Sequence, residues 1–563
     1  MVHRALLIQE VAGAILDNVP KKDLVAVART CHDLTDLALD RIWHEIPDLR
    51  VLISVLPESL FKRHWFKLVL SRELHPAEWE RLQYYIPRIT SIKRKESSSS
   101  GKPYPAFGDS VLAVLGASNP LKPFLPNLVH LDWSIHYIDL AHMCMFLGPR
   151  VQDLRFGLMQ REDFLQDVTI LEDVAEKCPS LKQLLLGENT AHPDFVPHLS
   201  RFFSTCQNLE RLDYRTASPN SDAICALAEL PCLRQLELLV FHPPYERPDS
   251  EEAIHKLRML RDRKAFRALK YFCLYADLPS LGFVVNTLQA LQSSPLEALQ
   301  ICVNGTGEAD PNVLPPVPIR FTLPTLQWLH IRCLTSAWRK YLFTPNGLPS
   351  LQELDFYYTE NETEDMRSLV ESIAVACSRS VLTSLKLDIG TWNDHNESRV
   401  SWLDGDIPST VLWPFLAFEN MTHFLFTADW PLLDPHAMIQ GMASSWKELK
   451  TFYLIDDQEH WDERPGATSV CLAILALHCR KLETISLRIN ALEELPMDLL
   501  DTIQPNESVR LVDLGDSPGT DSVEFLSFFQ RLFPNARRGH IEDPRKRRLV
   551  FYYPRVQPVQ FAA

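Results

Sequence analysis

The stretch that decides the fold is Cys178-Pro179-Ser180-Leu181-Lys182-Gln183-Leu184-Leu185-Leu186, which carries the pattern L-x-x-L-x-L. Five further clear copies of this pattern begin at Leu209, Leu233, Leu326, Leu351 and Leu482. Looser copies begin at Leu128, Val151, Leu269, Leu296, Leu382, Met421, Leu449 and Val509. The starts lie about 29 residues apart on average, and a phrase that returns at such intervals predicts a repeat architecture.

Each phrase has the alternation of a short β-strand, whose first, fourth and sixth positions turn inward while the residues between them face outward. One such strand cannot bury its apolar side, but a stack of copies forms a continuous core. Period and pattern resemble leucine-rich-repeat proteins, which implies an α/β solenoid, an irregular horseshoe with a parallel sheet on the concave face and helices on the convex face. The strand positions predict one buried column that contains Leu184, Leu212, Leu236, Leu329 and Leu354.

The outward strand positions are candidates for binding another protein, because aromatic and arginine side chains are the usual anchors of an interface. Six residues of these types occupy outward positions and form the predicted substrate-binding face: Arg155, Arg211, Tyr271, Trp328, His330 and Tyr453.

Three cysteines, Cys178, Cys206 and Cys479, each stand three residues before a repeat leucine. This spacing is similar to the cysteine-containing repeats of F-box proteins. The twelve cysteines contain no C-x-x-C pair, so we expect reduced, buried thiols in a cytoplasmic or nuclear protein.

The N-terminal stretch from Leu6 to Trp43 carries apolar residues at helical spacing and is interrupted by Pro20, which predicts short amphipathic helices. This stretch resembles the F-box. The family pattern maps onto Leu7-Ile8-Gln9-Glu10-Val11, Val19, Asp23-Leu24, Thr30-Cys31-His32-Asp33-Leu34 and Ile42-Trp43. Ile8 stands where the family has proline, and Leu34 where it has tryptophan. The resemblance implies contacts to a Skp-type adaptor from Leu7, Ile8, Glu10, Val11, Leu24, Cys31, Leu34 and Trp43.

Four segments are predicted along the chain. Residues 1–48 form an F-box-like helical domain, and residues 49–104 form a helical spacer that ends in a basic and serine-rich linker. Residues 105–540 form the solenoid, and residues 541–563 form a C-terminal cap and tail. The basic run Arg545 to Arg548 and the apolar run Leu549 to Tyr553 lie in the last segment.

The net charge of −15 argues against a general nucleic-acid binder, because such proteins need a basic face. No uncharged apolar run approaches the roughly 18 residues of a membrane span.

Two short stretches imitate two blocks of an esterase family: Phe107-Gly108-Asp109-Ser110 and Asp457-Gln458-Glu459-His460. Asp109 or Ser110 fits a helix cap better. A possible zinc set, His130, His136, His142 and Cys144, matches no familiar spacing. We therefore expect no catalytic residue, no metal and no cofactor.

An F-box followed by leucine-rich repeats implies the substrate-recognition subunit of an SCF-type, that is cullin–RING, ubiquitin ligase. The head would bind the Skp-type adaptor, and the solenoid would bind an unknown protein substrate, with no nucleic acid and no membrane as partner. The alternative is a repeat scaffold for protein interactions without ligase function. A remote alternative is an esterase of the G-D-S type.

Overall fold

A computed structural model of the chain describes the residues 8–30, 32–64, 67–93, 106–107, 109–117, 122–133, 140–158, 164–188, 196–216, 221–240, 255–256, 259–260, 265–277, 281–304, 321–333, 342–358, 363–389, 407–428, 432–456, 466–492, 495 and 503–539. The chain divides into two compact units, Met1–Pro295 (unit 1) and Leu296–Ala563 (unit 2). Among the described helices, none combines the length and the apolar character that a membrane crossing requires.

Unit 1 begins with a helical head formed by α1 (Gln9–Leu16), α2 (Lys21–Thr30) and α3 (His32–His44). Pro20 stands immediately before α2, where its missing N–H costs no hydrogen bond. Leu16, Leu24 and Trp43 are buried, and they supply much of a small core. The helical spacing of the sequence therefore gives the expected bundle.

The strands of unit 1 form one parallel sheet and one small additional sheet. They are β1 (Glu45–Ile46), β2 (Phe61–His64), β3 (Lys67–Leu70), β4 (Ser91–Ile92), β5 (Ala106–Phe107), β6 (His130–Asp132), β7 (Asp153–Leu158), β8 (Gln183–Glu188), β9 (Arg211–Thr216), β10 (Gln235–Val240) and β11 (Tyr271–Asp277). The parallel sheet runs in sequence order, from β1 through β4 and then β6 to β11.

Further helices of unit 1 lie between these strands or follow β11. The α-helices are α4 (Leu49–Ile53), α5 (Pro76–Tyr85), α6 (Asp109–Ala117), α7 (Phe164–Lys177), α8 (Val196–Thr205), α9 (Ser221–Ala228) and α10 (Leu281–Ala290). Short 3-10 helices span Glu58–Leu60, Ile86–Arg88, Leu140–Met145 and Leu291–Ser293.

The sequence predicted a helical spacer over residues 49–104, but this segment is not wholly helical. In it, β2 and β3 form an antiparallel hairpin with Phe61 opposite Leu70, and β5 then pairs with β3. Short apolar runs do not distinguish a strand from a helix, which explains the error. The parallel sheet also reaches further toward the N-terminus than residue 105, because β1 directly follows α3 and pairs with β4.

The predicted buried column is confirmed within each unit. In unit 1, Leu184, Leu212 and Leu236 occupy equivalent positions on neighbouring strands, and in unit 2 Leu329 lies beside Leu354. All five are buried. Alternation along parallel strands with a shared register places every second side chain in the core.

Unit 2 repeats the same construction. Its strands are β12 (Ala298–Asn304), β13 (Trp328–Cys333), β14 (Glu353–Tyr358), β15 (Ser384–Ile389), β16 (Ile407–Pro408), β17 (His423–Ala428), β18 (Leu432–Leu433), β19 (Thr451–Asp456), β20 (Thr484–Leu487), β21 (Leu511–Asp513) and β22 (Arg537–Arg538). All but β16 and β18 belong to a parallel sheet in sequence order, and β16 pairs with β18 separately. The helices are α11 (Thr363–Ala376), α12 (Pro435–Ser445), α13 (Ser469–His478), α14 (Val523–Leu532) and the 3-10 helix Ser409–Ala417.

A recurrent turn connects the helical side of a repeat to its strand. The residue three positions before the repeat leucine is buried, and its carbonyl accepts a hydrogen bond from that leucine's N–H, as in Leu181 to Cys178 at 3.2 Å and Leu209 to Cys206 at 3.0 Å. Cys479 occupies the same place before Leu482. The three cysteines are buried as predicted, and burial raises the pKa of Cys206 to about 12.

A second recurrent contact ties successive repeats together. The residue immediately before a repeat apolar residue often donates a side-chain hydrogen bond to a backbone carbonyl of the preceding repeat. Asn208 donates to Pro179 at 3.0 Å, Ser350 to Pro324 at 2.6 Å and Asn535 to Glu507 at 3.1 Å. Within both units these are the architecture and contacts of a leucine-rich-repeat type α/β solenoid.

Candidate protein-interaction surfaces

The first candidate surface consists of exposed apolar side chains on the first two helices of the head. Val11 and Ile15 lie four positions apart on one face of α1, and Ile8 is the N-cap residue immediately before that helix. Val25 is on α2. These four side chains are 39 to 52% exposed, although each is aliphatic. We define them as the head stripe.

The residues predicted to contact an adaptor do not all lie on the surface. Ile8, Glu10 and Val11 are exposed, and Leu34 is half-buried. Leu24, only 4% exposed, and Trp43, which packs against Tyr85 with ring centroids 4.5 Å apart, are core residues of the head. Leu7 and Cys31 lie outside the described residues.

Leu24 was predicted to contact an adaptor but is buried in the head. Helical spacing shows which residues share a face, but it does not show which face meets a neighbouring helix. Leu24 points into the bundle, and its neighbour Val25 is exposed instead. Ile15 and Val25 were not predicted as contact residues, and the only sequence signal for Ile15 was its spacing from Ile8 and Val11.

A polar cluster joins α3 of the head to α5 and to the 3-10 helix Ile86–Arg88, which precedes β4. The guanidinium of Arg88 donates to the Asp36 carboxylate at 2.6 Å and also to Asp40. The Tyr84 hydroxyl donates to Asp36 at 2.9 Å. Hydrogen bonds from Tyr84 and Arg88 lower the pKa of Asp36.

The backbone continues this connection, because α3 runs directly into β1. The backbone N–H of Thr90 donates to the carbonyl of His44 at 3.0 Å, and that of Lys93 donates to Ile46 at 3.1 Å. The head is therefore attached to the first strands by hydrogen bonds as well as by covalent continuity.

The second candidate surface is the outward face of the sheet in unit 1. Arg155 is exposed, and the side chain of Arg211 pairs with Glu237 at 2.9 Å across neighbouring strands. Tyr271 was predicted to face outward, but it is only 7% exposed, so it offers little area to a partner. Strand alternation gave its position without showing what packs around it.

The third candidate surface is the outward face of the sheet in unit 2. Trp328 and His330 stack with ring centroids 5.9 Å apart, and both are half-buried. The Nδ1 atom of His330 lies 2.9 Å from Asp355, which also accepts from Lys386 at 3.3 Å. Tyr453 is half-buried on β19.

His330 carries a positive charge near neutral pH. Burial by itself would lower the pKa of His330, but hydrogen bonds involving Asp355 and Cys302 raise it to about 9. Arg332 adds a second cation, stacked 5.5 Å above the ring of Tyr357. The sequence did not predict that Asp355, Lys386 and Tyr357 belong to this surface, because their contacts are made with residues of neighbouring repeats.

The candidate catalytic and metal residues do not assemble in the described part of the chain. Asp109 begins α6, but Gly108 and residues 457–460 lie outside the described residues. His130 is on β6 and Cys144 is on a 3-10 helix, while His136 is outside the described residues. Among described residues, no group of three or more potential ligands could hold a metal ion.

Comparisons with known proteins add little to these observations. No protein-family model matches the chain. No curated protein matches its sequence. Among solved structures, the complex of Rad7 and Elc1 in yeast contains a chain that is 13% identical, with 76% of this chain and 81% of that one covered and a TM-score of 0.27.

Two further solved structures match similarly. A Bacteroides fragilis protein is 14% identical, with 56% of this chain and 68% of that chain covered and a TM-score of 0.26. The leucine-rich repeat-containing protein LegL7 from Legionella pneumophila is 15% identical, with 42% of this chain and 82% of that chain covered and a TM-score of 0.22. The fold assignment rests on the strand register described above, and these matches carry no argument about function.

Proposed function

We propose that this chain is the substrate-recognition subunit of an SCF-type ubiquitin ligase. In this proposal the head stripe binds a Skp-type adaptor, and an outward face of the parallel sheet binds the protein substrate. The chain itself is non-enzymatic and acts in the cytoplasm, the nucleus or both. A repeat scaffold without ligase function is the alternative, which the departures at Ile8 and Leu34 favour.

The observation that carries the proposal is the exposure of four aliphatic side chains, the head stripe, on a small helical head. Ile8, Val11, Ile15 and Val25 leave aliphatic area in water, although the head has few core residues to stabilise it. Covering such area contributes about 25 cal/mol for each Å² removed from water. A hydrophobic partner at this stripe would therefore gain binding free energy.

The attachment of the head to the sheet supports the same proposal. A substrate receptor accelerates ubiquitin transfer by holding two proteins together, which converts a bimolecular encounter into an effectively intramolecular one. Such positioning requires a defined relation between the adaptor-binding and substrate-binding surfaces. In unit 1, the Arg88 cluster and the α3–β1 continuity restrict that relation.

The deciding experiment is co-purification of a Skp-type adaptor with the full chain. We expect the wild-type chain to retain the adaptor and Val11→Asp or Ile15→Asp to lose it, because a charge would be buried in an apolar interface. Leu24→Asp is unsuitable, since Leu24 lies in the head core and its substitution would unfold the head.

Val523→Asp provides the matched control, because Val523 is an exposed aliphatic residue at the start of α14 in unit 2. Circular dichroism of each variant checks that the array remains folded. If wild type fails to retain the adaptor where an established F-box protein does, the ligase proposal is wrong and the scaffold replaces it. A separate assay of ester hydrolysis by the purified chain tests the non-enzymatic role, and we expect no activity.

A further inference from the structure

The outward sheet face of unit 1 carries a series of ion pairs that were not apparent from the sequence. Asp153 lies 3.6 Å from Arg155 Nε and 3.8 Å from Lys93 Nζ. It also faces His130, whose Nδ1 is 3.5 Å away and whose pKa is lowered by burial and by Lys93. Two permanent cations therefore share one carboxylate at this end of the face.

The next pairs follow two strands further along. On β9, Arg215 pairs with Asp213 of the same strand at 3.0 Å. Arg211, also on β9, pairs with Glu237 on β10 at 2.9 Å. We call Lys93, Arg155, Arg211 and Arg215 the cation group.

The two charges of each pair differ in exposure. The side chains of the cation group are 32 to 45% exposed, whereas those of Asp153, Asp213 and Glu237 are only 8 to 14% exposed. Asp132 on β6 is half-buried and lies in register with Arg155 on β7. A protein that approaches this face consequently meets cations first, with their partner carboxylates lying beneath, even though the whole chain carries a net charge of −15.

The sheet surface between these cations includes two adjacent positions that carry no side chain. Gly157 on β7 lies in register with Gly187 on β8, and the same row continues to Arg215 on β9. Without side chains at two adjacent positions, another backbone can approach the sheet closely. Leu185, half-buried two residues before Gly187, borders this strip and offers an apolar contact.

We propose that the outward sheet face of unit 1 binds an extended, acidic segment of another protein, whose aspartate or glutamate carboxylates engage the cation group. The segment crosses the strip of Gly157 and Gly187, with an apolar side chain against Leu185. This inference deepens the proposed function, on which it rests for the view that the bound segment belongs to a substrate.

The spacing of the strands indicates how the acids are arranged in the partner. Arg155 and the two arginines of β9 lie two strands apart, which corresponds to roughly 10 Å across the sheet. An extended chain covers that distance in about three residues. The partner segment therefore carries acidic residues about three positions apart, with apolar or small residues between them.

Carboxylates fit this face better than phosphates do. A phosphate group adds nearly two negative charges above Asp153, Asp213 and Glu237, whereas a carboxylate adds one. Arginine guanidinium groups donate two-point, charge-assisted hydrogen bonds to carboxylates and phosphates alike, so the preference for a carboxylate rests on its smaller charge above the buried acids. Nucleic acid is disfavoured for the same reason and by the net charge of the chain.

The test measures fluorescence anisotropy of a labelled ten-residue peptide in which glutamate recurs at every third position with leucine and alanine between. We expect the full-length chain to bind it, with an affinity that falls as salt rises, since the cations are partly exposed. Arg155→Gln should weaken binding about three- to tenfold, whereas Arg155→Lys should weaken it less.

Arg155 is the best position for this test. When its guanidinium is removed, Asp153 keeps Lys93 and His130 as neighbours, so no isolated buried charge is left. Arg201→Gln is the matched control, an exposed arginine on α8 and therefore on the helical side. It should bind the peptide as wild type does. Circular dichroism confirms that each variant is folded.

Several results would overturn the inference. These are no binding of the glutamate peptide, equal binding by Arg155→Gln and Arg201→Gln, equal binding of a glutamine version of the peptide, or preference for the phosphoserine version or for single-stranded DNA. None of these results bears on adaptor capture by the head stripe. Failure of the acidic-segment inference is therefore distinguishable from failure of the proposed ligase role.

Discussion

Truncation of Leu212 to alanine provides a direct test of the repeat core. Leu212 is fully buried on β9 between Leu184 of β8 and Leu236 of β10, which occupy equivalent positions in the parallel register. Neighbouring repeats hold all three strands by backbone hydrogen bonds, so the structure cannot easily collapse into the space left by the side chain. Loss of transfer free energy and the remaining cavity together cost about 3–5 kcal/mol.

The assay is urea unfolding of the full chain followed by circular dichroism. Leu212→Ala should lower the midpoint of the transition of unit 1 without changing its slope, since the exposed area on unfolding is nearly the same. Leu185→Ala is the matched control, because Leu185 is a half-buried leucine on β8 that points to the outward face. Its cost should stay below about 1 kcal/mol. Equal costs for the two variants would show that the register is wrong.

Three further predictions concern other parts of the chain. Cys206 should react with a thiol reagent only on unfolding, because burial raises its pKa to about 12, whereas exposed Cys232 should react at once; rapid labelling of both in the native state would contradict the turn geometry. The pKa of His330 is raised from 6.5 to about 9, so its pairing with Asp355 should stabilise the fold fully below pH 6.5 and lose that contribution as pH rises through 9; unfolding midpoints of wild type and His330→Gln should converge above that pH, and a constant difference would refute the pairing. Arg88→Ala should speed amide hydrogen exchange in α3 about fivefold, consistent with about 1 kcal/mol for a partly exposed ion-pair cluster; unchanged exchange would mean that the cluster does not restrain the head.

The sequence alone determined the strands of the repeat array and which of their residues are buried. Leu184 and Leu354 could be assigned to the core because a strand alternates its side chains with a period of two, whatever surrounds it. The buried position of Cys206 followed similarly from its constant distance to the repeat leucine. Local periodicity was sufficient in these cases, because every repeat solves the same packing problem with its neighbours.

Only the tertiary structure decided what each outward or amphipathic residue does. Helical spacing could not show that Leu24 is buried while Val25 is exposed, and strand alternation could not show that Tyr271 is covered. The pairing of Arg211 with Glu237 joins residues 26 positions apart in sequence, and their proximity arises from the stacking of two repeats. Such contacts depend on repeat lengths and insertions, which vary along this chain. The physical reason is that burial and charge pairing are set by neighbours in space, whereas periodicity reports only neighbours along the chain.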